Sequence, residues 1–234
     1  MISFDIRRVE NTASTNDDAK KAAEEGAAEG LTIWALSQSA GRGRQGRQWH
    51  SPEGNLYCSA LLRPQSVRRE FGHYSFIAAL AISDAIKEFL PRASVELKWP
   101  NDVLVSGKKI SGILLESGED YLVVGVGVNV LHIPENPLYP ATSLALEGAE
   151  QPSAEDMLSK FLKSLDKWCE TFSAHGFAAI RTPWLSRAKK GTMRVRGPEG
   201  EIQGEFEDLD GQGNLCLLLP GGVKHSVNTG DVFF

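Results

Sequence analysis

The pattern of apolar and polar positions divides the chain into a long first part and a short last part. In the first part, apolar runs predict strands at residues 2–9, 32–37, 56–62, 95–98, 102–105, 109–115 and 121–130. Capping residues and helical spacing predict four helices. The first follows residues 14–16 and ends at residue 29, and the others span residues 71–90, 153–172 and 176–187. Ser106 and Gly107 predict a tight hairpin turn between two of the strands. These elements suffice for one medium-sized domain.

From about Lys189 onward the pattern changes to short strands separated by glycine-rich turns. The strands are predicted at residues 192–196, 202–209, 215–219 and 224–227. This spacing is typical of a small β-barrel or sandwich of under about fifty residues. Such a piece has little core of its own, so we expect it to pack on the first part. The predicted domains are residues 1–187 and 188–234.

Composition excludes several classes of protein. The 234 residues carry a formal net charge of -5, which argues against a chain built to coat nucleic acid. The three cysteines are far apart and form no CxxC pair, so neither a disulfide framework nor a zinc site is indicated. No signal pattern opens the chain and no apolar run is long enough to cross a bilayer. We therefore expect a cytoplasmic protein.

A long polar loop at residues 38–55 contains the run GRGRQGR, residues 41–47, which we call the arginine loop. Its three glycines are expected to take positive φ angles and to let the backbone approach a ligand. Its three arginines supply planar cationic groups that suit carboxylate and phosphate oxygens. The loop therefore predicts an anion clamp that is mobile without its ligand. Taken alone, it fits equally well a solvated loop or one that binds RNA non-specifically.

The run KWPNDV, residues 98–103, places a rigid turn between two strands. Pro100 is expected to keep Trp99 extended, and an Asx-type turn is the simplest interpretation. A lysine, an amide and a carboxylate at one strand end are nevertheless unusual in a mere connection. They indicate contact with phosphate, binding of Mg²⁺ or orientation of an attacking amine.

Two later strands carry further candidates. Lys109 begins an otherwise apolar strand, where it either reaches the strand edge or points into a site, and Gly112 leaves room for a ligand. Gly125 and Gly127 alternate along a buried strand, so they strip one face of side chains, and Asn129 follows them. Either another element or a flat ligand is expected to pack against that face.

In their order and spacing, these motifs resemble the biotin–protein ligases. The resemblance rests on residues 14–16 (Ser-Thr-Asn), the arginine loop with Trp49, KWPNDV, KKISGILLE and GVGVNV. It implies an α+β fold: a mixed β-sheet catalytic domain flanked by helices, like the class II synthetases, and a small C-terminal SH3-like β-barrel. It also implies an enzyme that joins biotin to ATP to give biotinyl-5'-adenylate. The biotinyl group would then pass to a lysine of the biotin carboxyl carrier protein of a carboxylase such as acetyl-CoA carboxylase.

The resemblance further implies roles for individual residues. The implied biotin-binding residues are Ser14, Thr15, Asn16, Gln38, Gly41, Arg42, Gly43, Arg44, Lys109, Gly112, Gly125 and Gly127. The implied nucleotide-binding residues are Arg44, Trp49, Asn101, Asp102, Lys109 and Asn129. Lys109, as the principal cation between the biotin carboxylate and the α-phosphate, Arg44 and Asp102 are the implied catalytic residues. No protein ligand to a metal is assigned, and Mg²⁺ is expected to arrive on the ATP phosphates.

Several expectations concern partners and alternatives. Ser14 lies so near the start that no winged-helix domain precedes it, so we expect a monofunctional ligase that binds no operator. Relatives of this type include monomers and homodimers, and the sequence does not choose between them. The main alternative is a lipoate–protein ligase or octanoyl transferase of the same fold. A second is a non-catalytic ligand sensor or a nucleic-acid-binding module.

Overall fold

The computed structural model describes residues 1–64, 70–135, 137, 139–197 and 200–234. Its larger part is a seven-stranded mixed sheet in the order β1-β2-β3-β7-β6-β5-β4. The strands are β1 (Asp5–Thr12), β2 (Leu31–Gln38), β3 (Leu56–Leu62), β4 (Val95–Lys98), β5 (Asp102–Val105), β6 (Lys108–Ser117) and β7 (Leu122–Val128). Strands β1 and β2 pair in parallel, and the other neighbours pair antiparallel.

Helices cover both faces of this sheet. They are α1 (Thr15–Glu24), α2 (His73–Phe89), α3 (Ala154–His175) and α4 (Ala178–Ser186), and a short non-helical turn spans Arg44–Gly46. Helix α1 packs its buried alanines against one face, together with Ile33, Leu61 and Val123. Helices α2 and α3 cover the opposite face, where the main apolar core lies. In the described parts of the chain, no helix is long and apolar enough to cross a membrane.

The last part of the chain is a five-stranded antiparallel sheet in the order β11-β10-β9-β8-β12. Its strands are β8 (Thr192–Gly197), β9 (Gly200–Leu209), β10 (Leu215–Leu219), β11 (Val223–Val227) and β12 (Asp231–Phe233). Among the described strand pairings, β11 and β12 remain at the two edges, so the sheet is open rather than a closed barrel. The predicted fold class, a mixed sheet with flanking helices and a small β domain, is confirmed.

Several predicted boundaries differ from the observed ones. Strand β1 begins at Asp5 rather than at residue 2 and continues to Thr12, because its pairing with β2 extends that far. Helix α1 ends at Glu24 rather than at residue 29, because Gly26 turns the chain with a φ of 89°. Strand β12 was not predicted, since three residues give too short a pattern.

The two sheets share one apolar core, in which Met193, Leu209 and Leu217 of the small sheet pack with residues of the larger domain. A buried hydrogen bond also joins the two parts, because Trp99 Nε1 donates to the carbonyl oxygen of Gly213 over 3.0 Å. The expectation that the small part packs on the large one is therefore met, and the KWPNDV turn lies at their junction.

Candidate functional site

A cavity of about 670 Å³ lies where the arginine loop covers strands β6 and β7. Fifteen of the sixteen predicted site residues line it: Ser14, Thr15, Asn16, Gln38, Arg42, Gly43, Arg44, Trp49, Asn101, Asp102, Lys109, Gly112, Gly125, Gly127 and Asn129. Gly41 lies just behind the wall, where a Cβ atom would stand 2.5 Å from Ser51 Oγ and 2.7 Å from the carbonyl oxygen of Trp49. The structure thus brings residues from five separate motifs to one place.

One end of the cavity is a buried polar pocket at the start of α1. Thr15 donates to Gln38 Oε1 from its backbone nitrogen, over 2.9 Å, and from its hydroxyl, over 3.2 Å. The hydroxyl of Ser59 lies 2.7 Å from Thr15 Oγ1 and 2.6 Å from Asn16 Oδ1. Ser59 belongs to no predicted motif and was missed, because it lies in an apolar strand and only the fold brings it to Asn16.

The two alternating glycines of β7 support protein side chains. A Cβ atom at Gly125 would stand 2.0 Å from Asn16 Oδ1, and one at Gly127 would stand 2.5 Å from the indole of Trp49. A Cβ atom at Gly112, which pairs with Gly127, would stand 3.0 Å from the same indole. Other parts of the protein therefore pack against this glycine face, through the side chains of Asn16 and Trp49. Both side chains also line the cavity.

The opposite end of the cavity carries a cluster of three charged side chains, Lys98, Asp102 and Lys109, which we call the cation cluster. Lys109 forms an ion pair with Asp102, and Lys98 Nζ lies 3.8 Å from the second oxygen of that carboxylate. Lys98 is buried against the ring of Tyr139, with its Nζ 4.5 Å from the ring centroid. Burial lowers the pKa of Lys98, and the charge of Lys109 adds to that effect while Asp102 opposes it. Two cations against one carboxylate leave a net positive charge for an anion.

The backbone around the cation cluster is fixed by specific hydrogen bonds. Lys109 donates its amide hydrogen to Pro140 and accepts from the amide of Thr142. Asn101 donates from Nδ2 to the carbonyl oxygen of Ile113 over 2.7 Å, which ties the KWPNDV turn to β6. The Trp99–Pro100 peptide bond within this turn is cis.

The three arginines of the arginine loop have different partners. Arg42 forms two hydrogen bonds of 2.6 Å to Asp17 and also contacts Glu116 at 3.0 Å. Arg44 donates to Thr229 Oγ1 over 3.3 Å, and burial lowers its pKa. Arg47 lies 2.7 Å from a carboxylate oxygen of Asp231, at the start of β12.

The backbone of the arginine loop differs from the expectation. Of its three glycines, only Gly46 has a positive φ, at 70°. Gln45 is also left-handed, with a φ of 56°, whereas Gly43 is extended. The prediction of positive φ at Gly41 and Gly43 was therefore wrong. Gly41 is required for space instead, because Gln38, Trp49 and Ser51 crowd around it.

Sequence reasoning left some lining residues unassigned. Lys98 belongs to the KWPNDV motif, so the sequence could have predicted that it lines the cavity. Tyr139 and Asp231 also line the cavity, but no local sequence pattern indicates this. Asn129 lies at the edge of the cavity and donates from Nδ2 to the carbonyl oxygen of Thr142 over 3.0 Å. Within the described ranges, no three His, Cys, Asp or Glu side chains come together as a metal-ligand set.

Two protein-family models match this chain, one in the larger domain and one in the small sheet. Residues 8–129 match the model of the biotin/lipoate A/B protein ligase family, and residues 193–234 match that of the biotin protein ligase C-terminal domain. The chain is 37% identical to the biotin–[acetyl-CoA-carboxylase] ligase of Paracoccus denitrificans, over 95% of this chain and 98% of that one. It is 34% identical to the bifunctional ligase/repressor BirA of Bacillus subtilis, over 91% of this chain and 69% of the other.

Among solved structures, the biotin protein ligase of Aquifex aeolicus in complex with biotin and ATP superposes with a TM-score of 0.84. Its sequence is 29% identical, and the alignment covers 98% of this chain and 97% of that chain.

Proposed function

Because the chain belongs to the biotin/lipoate A/B protein ligase family, we propose that it is a biotin–protein ligase that uses ATP and forms AMP. The observation that carries this function is the two-ended cavity, with a neutral polar pocket at one end and the cation cluster at the other. A ligand with a polar, uncharged ring and a carboxylate fits these two ends. Biotin has this form, and the solved relative from Aquifex aeolicus is a complex with biotin and ATP.

In the first step, a carboxylate oxygen of biotin attacks the α-phosphorus of ATP, and the bond to the bridging oxygen of pyrophosphate breaks. Both reactants are anions, so their approach requires cations that offset the repulsion. We assign this role to Lys109 and Arg44, with Lys98 beside them. Holding the two reactants together in one cavity supplies a further part of the acceleration.

In the second step, the neutral amine of an acceptor lysine attacks the acyl carbon of biotinyl-5'-adenylate, and AMP leaves with the electron pair of the broken C–O bond. The acceptor lysine loses one proton to solvent before it attacks, and its nitrogen loses a second proton to solvent as the amide forms. We assign the orientation of this amine to Asp102 and Asn101, which lie at the turn between β4 and β5. The acceptor that we propose is the biotin carboxyl carrier protein of acetyl-CoA carboxylase or of a related carboxylase.

The remaining roles follow from position in the cavity. We assign the ring of biotin to Ser14, Thr15, Asn16 and Gln38, and the adenine to the neighbourhood of Trp49 and Asn129. Arg42 as a clamp on the biotin carboxylate stays a prediction, because its guanidinium is already bound by Asp17 and Glu116. Mg²⁺ prefers oxygen ligands, and the Asp102 carboxylate is already paired with Lys109. We infer that the ATP phosphates supply most of the ligands to Mg²⁺.

Two measurements test this function. Incubation with biotin, MgATP and a biotin carboxyl carrier domain should add one biotinyl group to that domain, as read by intact mass. Biotin should also drive exchange of labelled pyrophosphate into ATP in the absence of the acceptor. The matched family also includes lipoate ligases, so lipoate is the competing acid. Exchange with lipoate and none with biotin would exclude the proposed function.

A further inference from the structure

Glu116, near the end of β6, joins the polar pocket to the arginine loop. Its carboxylate accepts hydrogen bonds from Asn16 Nδ2 over 2.7 Å, from Lys20 Nζ over 3.2 Å and from Arg42 over 3.0 Å. None of the roles given above involves Glu116. Its three partners come from two different parts of the chain, namely helix α1 and the arginine loop.

The charges around Glu116 balance among themselves. Burial alone would raise the pKa of Glu116, but the hydrogen bonds from Asn16, Lys20 and Arg42 together outweigh it and hold the pKa below its usual range. Asp17 also binds Arg42, and this contact lowers the pKa of Asp17. Two carboxylates and two cations thus form a closed set, so Glu116 is ionised at neutral pH and can only accept hydrogen bonds.

An acceptor-only neighbour fixes the orientation of the Asn16 amide. Since a carboxylate cannot donate, it faces Nδ2 and leaves Oδ1 on the other side, where the Ser59 hydroxyl lies 2.6 Å away. The amide lies directly over Gly125, at the cavity wall, where a side chain at that position would displace it. A reversed amide would present a donor to a ligand group that requires an acceptor.

We propose that Glu116 is a positioning residue that orients the Asn16 amide for the biotin ring and, through Arg42, anchors the arginine loop over the cavity. This inference rests on the proposed function. One carboxylate then sets both the polar pocket and the closure of the loop that covers the adenylate. Asp17 serves only the second task, because it contacts Arg42 and Lys20 but makes no hydrogen bond to Asn16 within the described structure.

Three variants separate the two tasks. Glu116→Gln keeps the shape but offers one acceptor oxygen and an NH₂ group, so we expect the Kd for biotin alone to rise about tenfold, the effect of one charged hydrogen bond. Asp17→Asn removes the bidentate contact to Arg42 and should leave this Kd within about twofold. Glu96→Gln is the matched control, because Glu96 is also a strand glutamate, of 26% side-chain exposure against 24% for Glu116, and it pairs with Lys189 outside the cavity.

The second measurement is the rate at which biotinyl-5'-adenylate escapes the cavity and hydrolyses without an acceptor. We expect this rate to rise in both Glu116→Gln and Asp17→Asn, and to stay unchanged in Glu96→Gln. A merely structural role for Glu116 would instead lower the melting temperature and leave both the Kd and the escape rate unchanged.

The results distinguish the possible failures. A biotin Kd for folded Glu116→Gln equal to that of Glu96→Gln would overturn the inference. A biotin Kd that rises equally in Glu116→Gln and Asp17→Asn would also overturn it. If Glu116→Gln does not fold, Glu116→Asp provides the test, because it keeps the charge but withdraws it from Asn16 by one methylene. Glu116→Asp should also raise the Kd for biotin, and an unchanged Kd would reject the inference. Wild-type protein that forms no biotinyl-5'-adenylate would reject the proposed function itself.

Discussion

At the scale of single residues, the cation cluster places two lysines on one carboxylate at the edge of a cavity. Lys98 is buried and its pKa is lowered, so keeping it charged there costs stability. Asp102 offsets part of the repulsion between Lys98 and Lys109 but cannot balance both charges. We propose that a bound phosphate or carboxylate supplies the missing negative charge.

Lys109→Ala should reduce adenylate formation by about 100-fold or more, because it removes a preorganised cation from the charge that develops at the α-phosphate. The measurement is biotin-dependent pyrophosphate exchange, with the melting temperature recorded alongside. Lys108→Ala is the matched control, since Lys108 is adjacent but exposed and pairs with Glu147 away from the cavity. Equal losses in the two variants would remove Lys109 from its assigned role.

Gly127→Ala should displace Trp49, because the new methyl group would stand 2.5 Å from the indole. Overpacking of this kind costs about 1–3 kcal/mol, and here it also shifts a side chain that lines the cavity. We expect a changed tryptophan emission spectrum and a higher KM for ATP. Gly211→Ala, with no atom within 4 Å of the new Cβ, should leave both unchanged. An unaltered spectrum and KM in Gly127→Ala would show that Trp49 does not occupy this position in solution.

At the scale of elements, each of the three arginines of the arginine loop contacts residues outside the loop. Arg42 reaches Asp17, 25 residues away, and Arg47 reaches Asp231, 184 residues away. The sequence indicated a glycine- and arginine-rich anion loop, because residue type and local spacing carry that signal. The partner of each arginine could not be predicted, since it depends on how the small sheet packs. Ser59 and the glycine face of β7 show the same limit, because their neighbours come from distant segments.

The arginine loop should become more protected when substrates bind, because ligand oxygens add contacts to Arg44 and neighbouring amides and exclude water. Hydrogen exchange of a peptide covering residues 41–50 should slow several-fold on addition of biotin and MgATP, as followed by mass spectrometry. A peptide from α4 serves as the internal reference. Identical exchange with and without both substrates would argue against closure of the loop.

At the scale of the whole molecule, the small sheet takes part in the site as well as in the core. Asp231 and Val232 of β12 line the cavity, and Thr229 and Gly230 accept hydrogen bonds from Arg44. We propose the boundary between the domains at residues 187 and 188, which assigns α4 to the catalytic part and β8 to the small sheet. With this boundary, the cavity is closed by residues from both sides, so neither part alone carries a complete site.

Asp231→Asn should therefore weaken the contact between the small sheet and the arginine loop. Arg47 would lose a half-buried ion pair that contributes about 0.5–1.5 kcal/mol to the position of the loop. The KM for ATP should therefore rise about two- to tenfold. The Kd for biotin alone should stay near the wild-type value, because Arg47 does not contact the polar pocket. Asp208→Asn is the matched control, since Asp208 pairs with Arg181 of α4 and also joins the small sheet to the larger domain. It should lower stability without changing the KM for ATP. A KM increase of equal size in both variants would mean that any loosening of the small sheet disturbs the site, and that the contact between Arg47 and Asp231 has no separate role.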